Sequence, residues 1–188
     1  MPYSNYSKIY DLLTELAKED RPKDLFDFAE EIQNSQIESF AIWRPGSEPD
    51  TPPTKTYCST TSIRRLIRFV TELGFIDLDE ERQCRLTSYG RNALRGDNYP
   101  RVLSTHLTMY LKDRVGVTYS EIKETILAIQ RPEVAFFDTI YGRISSQKDL
   151  QIRQSRFRMV LYLLERCGML TSLTKKIYFA PEAQVWHS

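Results

Sequence analysis

Two stretches of this chain carry the same apolar spacing 94 positions apart, and that offset constrains the fold more than any other feature. Ile63, Leu66, Ile67 and Val70 correspond to Phe157, Val160, Leu161 and Leu164, and Leu73-Gly74-Phe75-Ile76 corresponds to Cys167-Gly168-Met169-Leu170. The match reaches the start of each copy, where Ile9, Leu13 and Ala17 pair with Leu103, Leu107 and Leu111. Leu25, Phe28 and Ile32 likewise pair with Tyr119, Ile122 and Ile126. Positions that stay apolar in both copies are those a repeated unit has to bury. The chain therefore reads as two domains of one kind, residues 1–97 and 98–188, and with 41% hydrophobic residues each can build its own core.

Several function classes fall away on inspection. No run approaches the roughly 20 apolar residues of a membrane span, and the first residues lack the basic and apolar regions of a signal peptide. The expectation is a soluble, cytoplasmic protein without a membrane partner. Cys58, Cys84 and Cys167 are odd in number, lie far apart and include no Cys-x-x-Cys pair, which fits structural thiols better than disulfides or a zinc site. His106 and His187 are the only histidines, and neither stands in a metal-binding or catalytic pattern. No Gly-rich phosphate loop or Gly-x-Ser-x-Gly elbow is present. No enzyme, cofactor or metal is expected. Charge is more informative in its distribution than in its sum of +1: residues 1–57 hold 6 Lys and Arg against 11 Asp and Glu, leaving 20 against 14 in the remainder. A basic carboxy-terminal part is a hint of nucleic acid.

Periodicity predicts an amphipathic helix over residues 6–18, followed by a second helix capped by Asp24 and carrying Leu25, Phe28, Ala29 and Ile32. Residues 43–53 are rich in Pro and Gly and read as an exposed loop, in which Trp43 and Arg44 would form a contact tip. Ser59 or Thr60 caps a third helix to Leu73, where Gly74 can end it in the left-handed conformation. Residues 75–78 and 83–86 make a short hairpin, and Thr87 caps a helix over residues 88–94. In the second copy, residues 102–112 form a helix and Thr118-x-x-Glu121 is a capping box. Residues 134–144 are an apolar, helix-compatible segment, a long helix covers residues 147–167, and a hairpin over 170–179 turns at Thr174-Lys175-Lys176. The expected class is mainly α with small β-hairpins (α+β), arranged as two tandem winged helix-turn-helix domains.

Directly after the first hairpin, Leu86-Thr87-Ser88-Tyr89-Gly90-Arg91-Asn92-Ala93-Leu94 resembles the Leu-Thr-x-x-Gly-Arg run that leads out of the wing in winged-helix regulators of the MarR and PadR type. The resemblance spans most of residues 6–95. The second copy has Ala180-Pro181-Glu182 where Leu86-Thr87-Ser88 would repeat. The resemblance implies binding of double-stranded DNA, with the third helix in the major groove and the wing on the backbone.

The residues bear on that implication separately. Thr61, Arg64, Arg65, Arg68 and Thr71 share the polar side of the third helix, where planar guanidinium forks suit phosphates and guanine edges and hydroxyls suit phosphates. A merely solvated basic face would look similar, although Glu72 is the only acid on it. Lys175, Lys176 and Arg158 are secondary backbone contacts in this reading. In the second copy Arg65 becomes Met159 and Arg68 becomes Tyr162, and with Ile152 and Leu163 beside the main stripe that helix is apolar over much of its circumference. Such a helix is covered on several sides, by a wide core stripe of its own domain or by a partner. Ile152, Met159 and Tyr162, with Trp43 and Arg44, are the candidate partner interface, consistent with a homodimer. Against a regulator stands the acidic wing, Asp79-Glu80-Glu81, where phosphate would approach. The alternative is a protein-interaction subunit similar to the kite-type accessory proteins of chromosome-organising complexes.

Overall fold

The computed structural model describes residues 5–19, 21–44, 52–129 and 136–170. It is mainly helical with small antiparallel sheets, and the chain divides into two compact units, residues 1–99 and 100–188.

In the first unit, α1 (Asn5–Ala17) buries Ile9, Leu12, Leu13 and Leu16, one stripe of a 3.6-residue repeat. After β1 (Lys23–Asp24), the Asp24 carboxylate accepts hydrogen bonds from the backbone N–H groups of Phe26 and Asp27 at 2.7 and 3.3 Å and starts α2 (Leu25–Asn34). A 3-10 turn, Glu38–Phe40, leads into β2 (Ala41–Arg44), which pairs antiparallel with β3 (Thr54–Tyr57). Then come α3 (Thr60–Glu72), β4 (Ile76–Leu78), β5 (Gln83–Leu86) and α4 (Ser88–Ala93). β5 is the centre of a three-stranded sheet ordered β1-β5-β4, with Lys23 opposite Cys84 and Ile76 opposite Leu86. α2 packs on α3, and Phe28, Phe40, Phe69 and Phe75 are fully buried. Burial pushes the Cys84 thiol up to about 12, with Asp24 and Asp79 adding to the shift, so Cys84 is a neutral core group.

Two residues of the Leu-Thr-x-x-Gly-Arg run have a physical task. Thr87 Oγ1 donates to the carbonyl of Gly74 at 2.7 Å and accepts from Gly90 N at 3.1 Å, tying the end of α3 to the start of α4. Gly90 is buried, and a Cβ there would lie 2.4 Å from the Phe75 carbonyl oxygen, so only glycine lets α4 sit this close.

The second unit contains most of α5 (Tyr99–Tyr110), which runs into a π-helical turn, Leu111–Val115, then α6 (Tyr119–Leu127), α7 (Phe136–Ser145) and α8 (Gln154–Arg166). The capping box closes both ways: Thr118 Oγ1 accepts from Glu121 N at 3.3 Å and Glu121 accepts from Thr118 N at 2.7 Å. The 94-residue offset is kept in the backbone. α3 and α8 have matching bounds, and both end on a glycine at positive φ, 81° at Gly74 and 85° at Gly168. The next amide reaches back to the equivalent carbonyl, Phe75 N to Val70 O at 3.2 Å and Met169 N to Leu164 O at 3.0 Å.

Three expectations need correction. The segment around Trp43 is not wholly loop, because Trp43 and Arg44 are in β2, paired with Lys55 and Thr54; residues 45–51 of the expected loop lie outside the described residues. The long helix of the second copy begins at Gln154 rather than at residue 147, and Arg153 at its N-cap makes no side-chain capping bond. Ile152 is buried at 9% exposure, with its carbonyl accepting from the Tyr141 hydroxyl at 3.2 Å, so it packs inside the chain and is not a partner contact. The expected hairpin of residues 170–179, with Lys175 and Lys176, lies almost wholly outside the described residues.

Candidate nucleic-acid interface

α3 forms where it does because the Ser59 hydroxyl accepts from Ser62 N at 3.3 Å and Gly74 ends the helix. Between these stops Ile63, Ile67, Phe69 and Val70 are buried, while Leu66 is only half-buried. The opposite side is left with Thr61, Arg65 and Arg68, all exposed. Neither Arg65 nor Arg68 forms an ion pair with any described residue.

Arg64 is placed differently. It is half-buried, its guanidinium donates to Thr61 Oγ1 at 3.1 Å, and its Cζ lies 4.5 Å from the centroid of the Phe26 ring. Arg82, at the end of the β4–β5 turn with φ 64°, lies 4.9 Å from the centroid of that ring. Phe26 thus gathers a guanidinium from α3 and one from the β4–β5 turn at the first turn of α2. Sequence reasoning missed this cluster because the three residues belong to three elements; the one available signal was an apolar residue off the α2 stripe.

Thr71 fits the expected role less well. It is half-buried and its hydroxyl donates to the Ile67 carbonyl at 3.1 Å, within its own helix. In the β4–β5 turn Asp79 accepts from Gln83 N at 2.8 Å, and Glu80 and Glu81 are exposed, so acid does lie beside the Arg82 backbone.

The remaining candidate residues are scattered. Trp43 is 49% exposed, with Lys55 Nζ 5.5 Å from its ring centroid, and Arg44 is exposed beside it. Lys55 is itself drawn to Glu38, which with Tyr57 raises its pKa. In the second unit Arg158 meets Asp138 at 3.4 Å, a long pair that neutralises part of its charge. Leu163 is fully buried, Met159 half-buried and Tyr162 exposed at 37%. The apolar circumference of α8 is therefore chiefly a wide core stripe, against which α7 packs.

Among the described residues no cluster of His, Cys, Asp and Glu is arranged to hold a metal, and no helix is long and apolar enough to cross a membrane. No protein-family model, characterised protein or solved structure matches the chain.

Proposed function

We propose that this chain is a non-enzymatic DNA-binding protein of two tandem winged-helix units, a transcriptional regulator or DNA-associated accessory factor. The sheet order β1-β5-β4, with α2 packed on α3 and a hairpin directly after α3, supports the winged-helix reading of the first unit. The observation that carries the DNA reading is the pair of exposed arginines on α3, Arg65 and Arg68, without carboxylate partners among the described residues. In this reading α3 enters the major groove. Arg65 and Arg68 point their forks at base edges or phosphates, each good bidentate contact giving about 1–3 kcal/mol of discrimination. Arg64 and Arg82, fixed on Phe26, contact the flanking backbone. A homodimer through the second unit would set two such helices on neighbouring half-sites.

Titration of a duplex across salt concentrations tests the proposal. Affinity falls steeply with salt, and changing Arg64, Arg65 and Arg68 together to Ala lowers it and flattens the log–log slope by about 2–3. Weak binding that ignores the triple change would favour the kite-like protein-interaction reading. The exposed acids Glu80 and Glu81 on the wing and the exposed Ile42 and Trp43 on β2 speak for that second reading.

A further inference from the structure

A cleft of about 510 Å³ opens in the first unit between the last turn of α1, the stretch before β1, the strand β5 and the end of α4. Its walls combine Leu16, Pro22 and Leu94 with four exposed arginines: Arg21, which is paired with Glu19, and Arg85, Arg91 and Arg95, which form no ion pair with a described residue. No residue of α3 lines it.

The arginines are held by the fold. Arg85 stands on β5, hydrogen-bonded to a strand on either side. Arg91 lies in the last turn of α4 and Arg95 just past its C-cap Leu94, where the Arg95 amide turns back to the Asn92 carbonyl at 3.2 Å, and both line the cleft. One such arginine near a helix C-terminus is explained by the helix dipole, but three in a single concavity repel one another. Asp77 stands opposite Arg85 on β4, but no described carboxylate forms an ion pair with Arg85, Arg91 or Arg95. Among the described residues the one acid lining the cleft, Glu19, is engaged already: hydrogen bonds from Lys23 and Arg21 hold its carboxyl below the ordinary range.

We infer that this cleft binds a small organic anion, its phosphate or carboxylate oxygens on the forks of Arg85, Arg91 and Arg95 and its apolar body against Leu16, Pro22 and Leu94. The volume lies within the usual range for small-molecule sites, roughly 300–1,000 Å³, and guanidinium forks match the geometry of both oxyanions. The concave shape and apolar walls favour a small ligand over a length of nucleic-acid backbone. The site stands apart from the residues assigned to DNA.

Calorimetric titration of the full chain at low salt with AMP, citrate and pyrophosphate tests this. AMP or citrate binds, the tighter of the two telling phosphate from carboxylate, and pyrophosphate, lacking an apolar body, binds more weakly than that ligand. Arg91→Gln and Arg95→Gln each weaken binding about tenfold, with unchanged melting because both side chains are exposed. Changing Arg64, Arg65 and Arg68 to Ala leaves the titration as it was, which separates this site from the α3 face. Three results overturn the inference: no heat with any probe, binding indifferent to the two Gln substitutions, or pyrophosphate binding as tightly as the organic anions. A fourth would assign the cleft to the DNA footprint instead: loss of duplex affinity in Arg91→Gln and Arg95→Gln without small-anion binding by the unchanged protein.

Discussion

The Arg64 guanidinium lies over the Phe26 ring, its Cζ 4.5 Å from the ring centroid, and this contact links the outward side of α3 to the first turn of α2. A free arginine loses much rotamer freedom when it binds a phosphate. One already stacked on an aromatic face loses less.

Phe26→Ala therefore lowers duplex affinity although Phe26 itself need not touch DNA. An exposed cation–π contact contributes about 0.5–1 kcal/mol, equivalent to a loss of about two- to fivefold. Because Phe26 is 37% exposed and off the buried stripe of α2, its melting temperature changes little. Affinity measured by fluorescence anisotropy beside a thermal melt separates these effects. An unchanged affinity in Phe26→Ala would show that the stacking positions nothing.

Gly90→Ala destabilises the first unit. Alanine is favoured over glycine inside a helix by about 1 kcal/mol, but here the added Cβ would come within 2.4 Å of the Phe75 carbonyl and 2.9 Å of Leu86 Cδ2. Backbone cannot swing away as a side chain can, and overpacking costs about 1–3 kcal/mol or more. The contact is with backbone, so the clash falls at the upper end of that range and wins, with a net loss of about 1–2 kcal/mol in urea unfolding at constant slope.

Stability in the second unit declines in acid through Glu121. A hydrogen bond from Lys148, joined by those from the Thr118 amide and hydroxyl, depresses its carboxyl from 4.5 to about 2. With the folded-state value below the unfolded one, the stabilisation is complete above about pH 5 and disappears as pH falls towards 2. Unfolding curves between pH 5 and pH 2 show a steeper loss for the unaltered chain than for Glu121→Gln, which starts lower and has less to lose. At neutral pH Thr118→Ala costs about 1 kcal/mol by removing the cap.

Local structure and the repetition are legible in the order of the residues alone. Caps at Asp24, Ser59, Thr87 and Thr118 and the glycine stops at Gly74 and Gly168 are set by backbone chemistry within a few residues, so they can be read without knowing the fold. The exposure of Arg65 and Arg68 followed from helical spacing alone. Less was legible where partners come from afar. The β2–β3 pairing joins segments separated by a Pro-rich stretch, and Ile152, expected on the long helix, is buried in the stretch before α8. Tertiary structure alone brought Arg64 and Arg82 to Phe26, and Arg85, Arg91 and Arg95 to one cleft. Periodicity assigns a residue to a face of its own element, whereas a binding site arises from the distances between faces, which only packing sets.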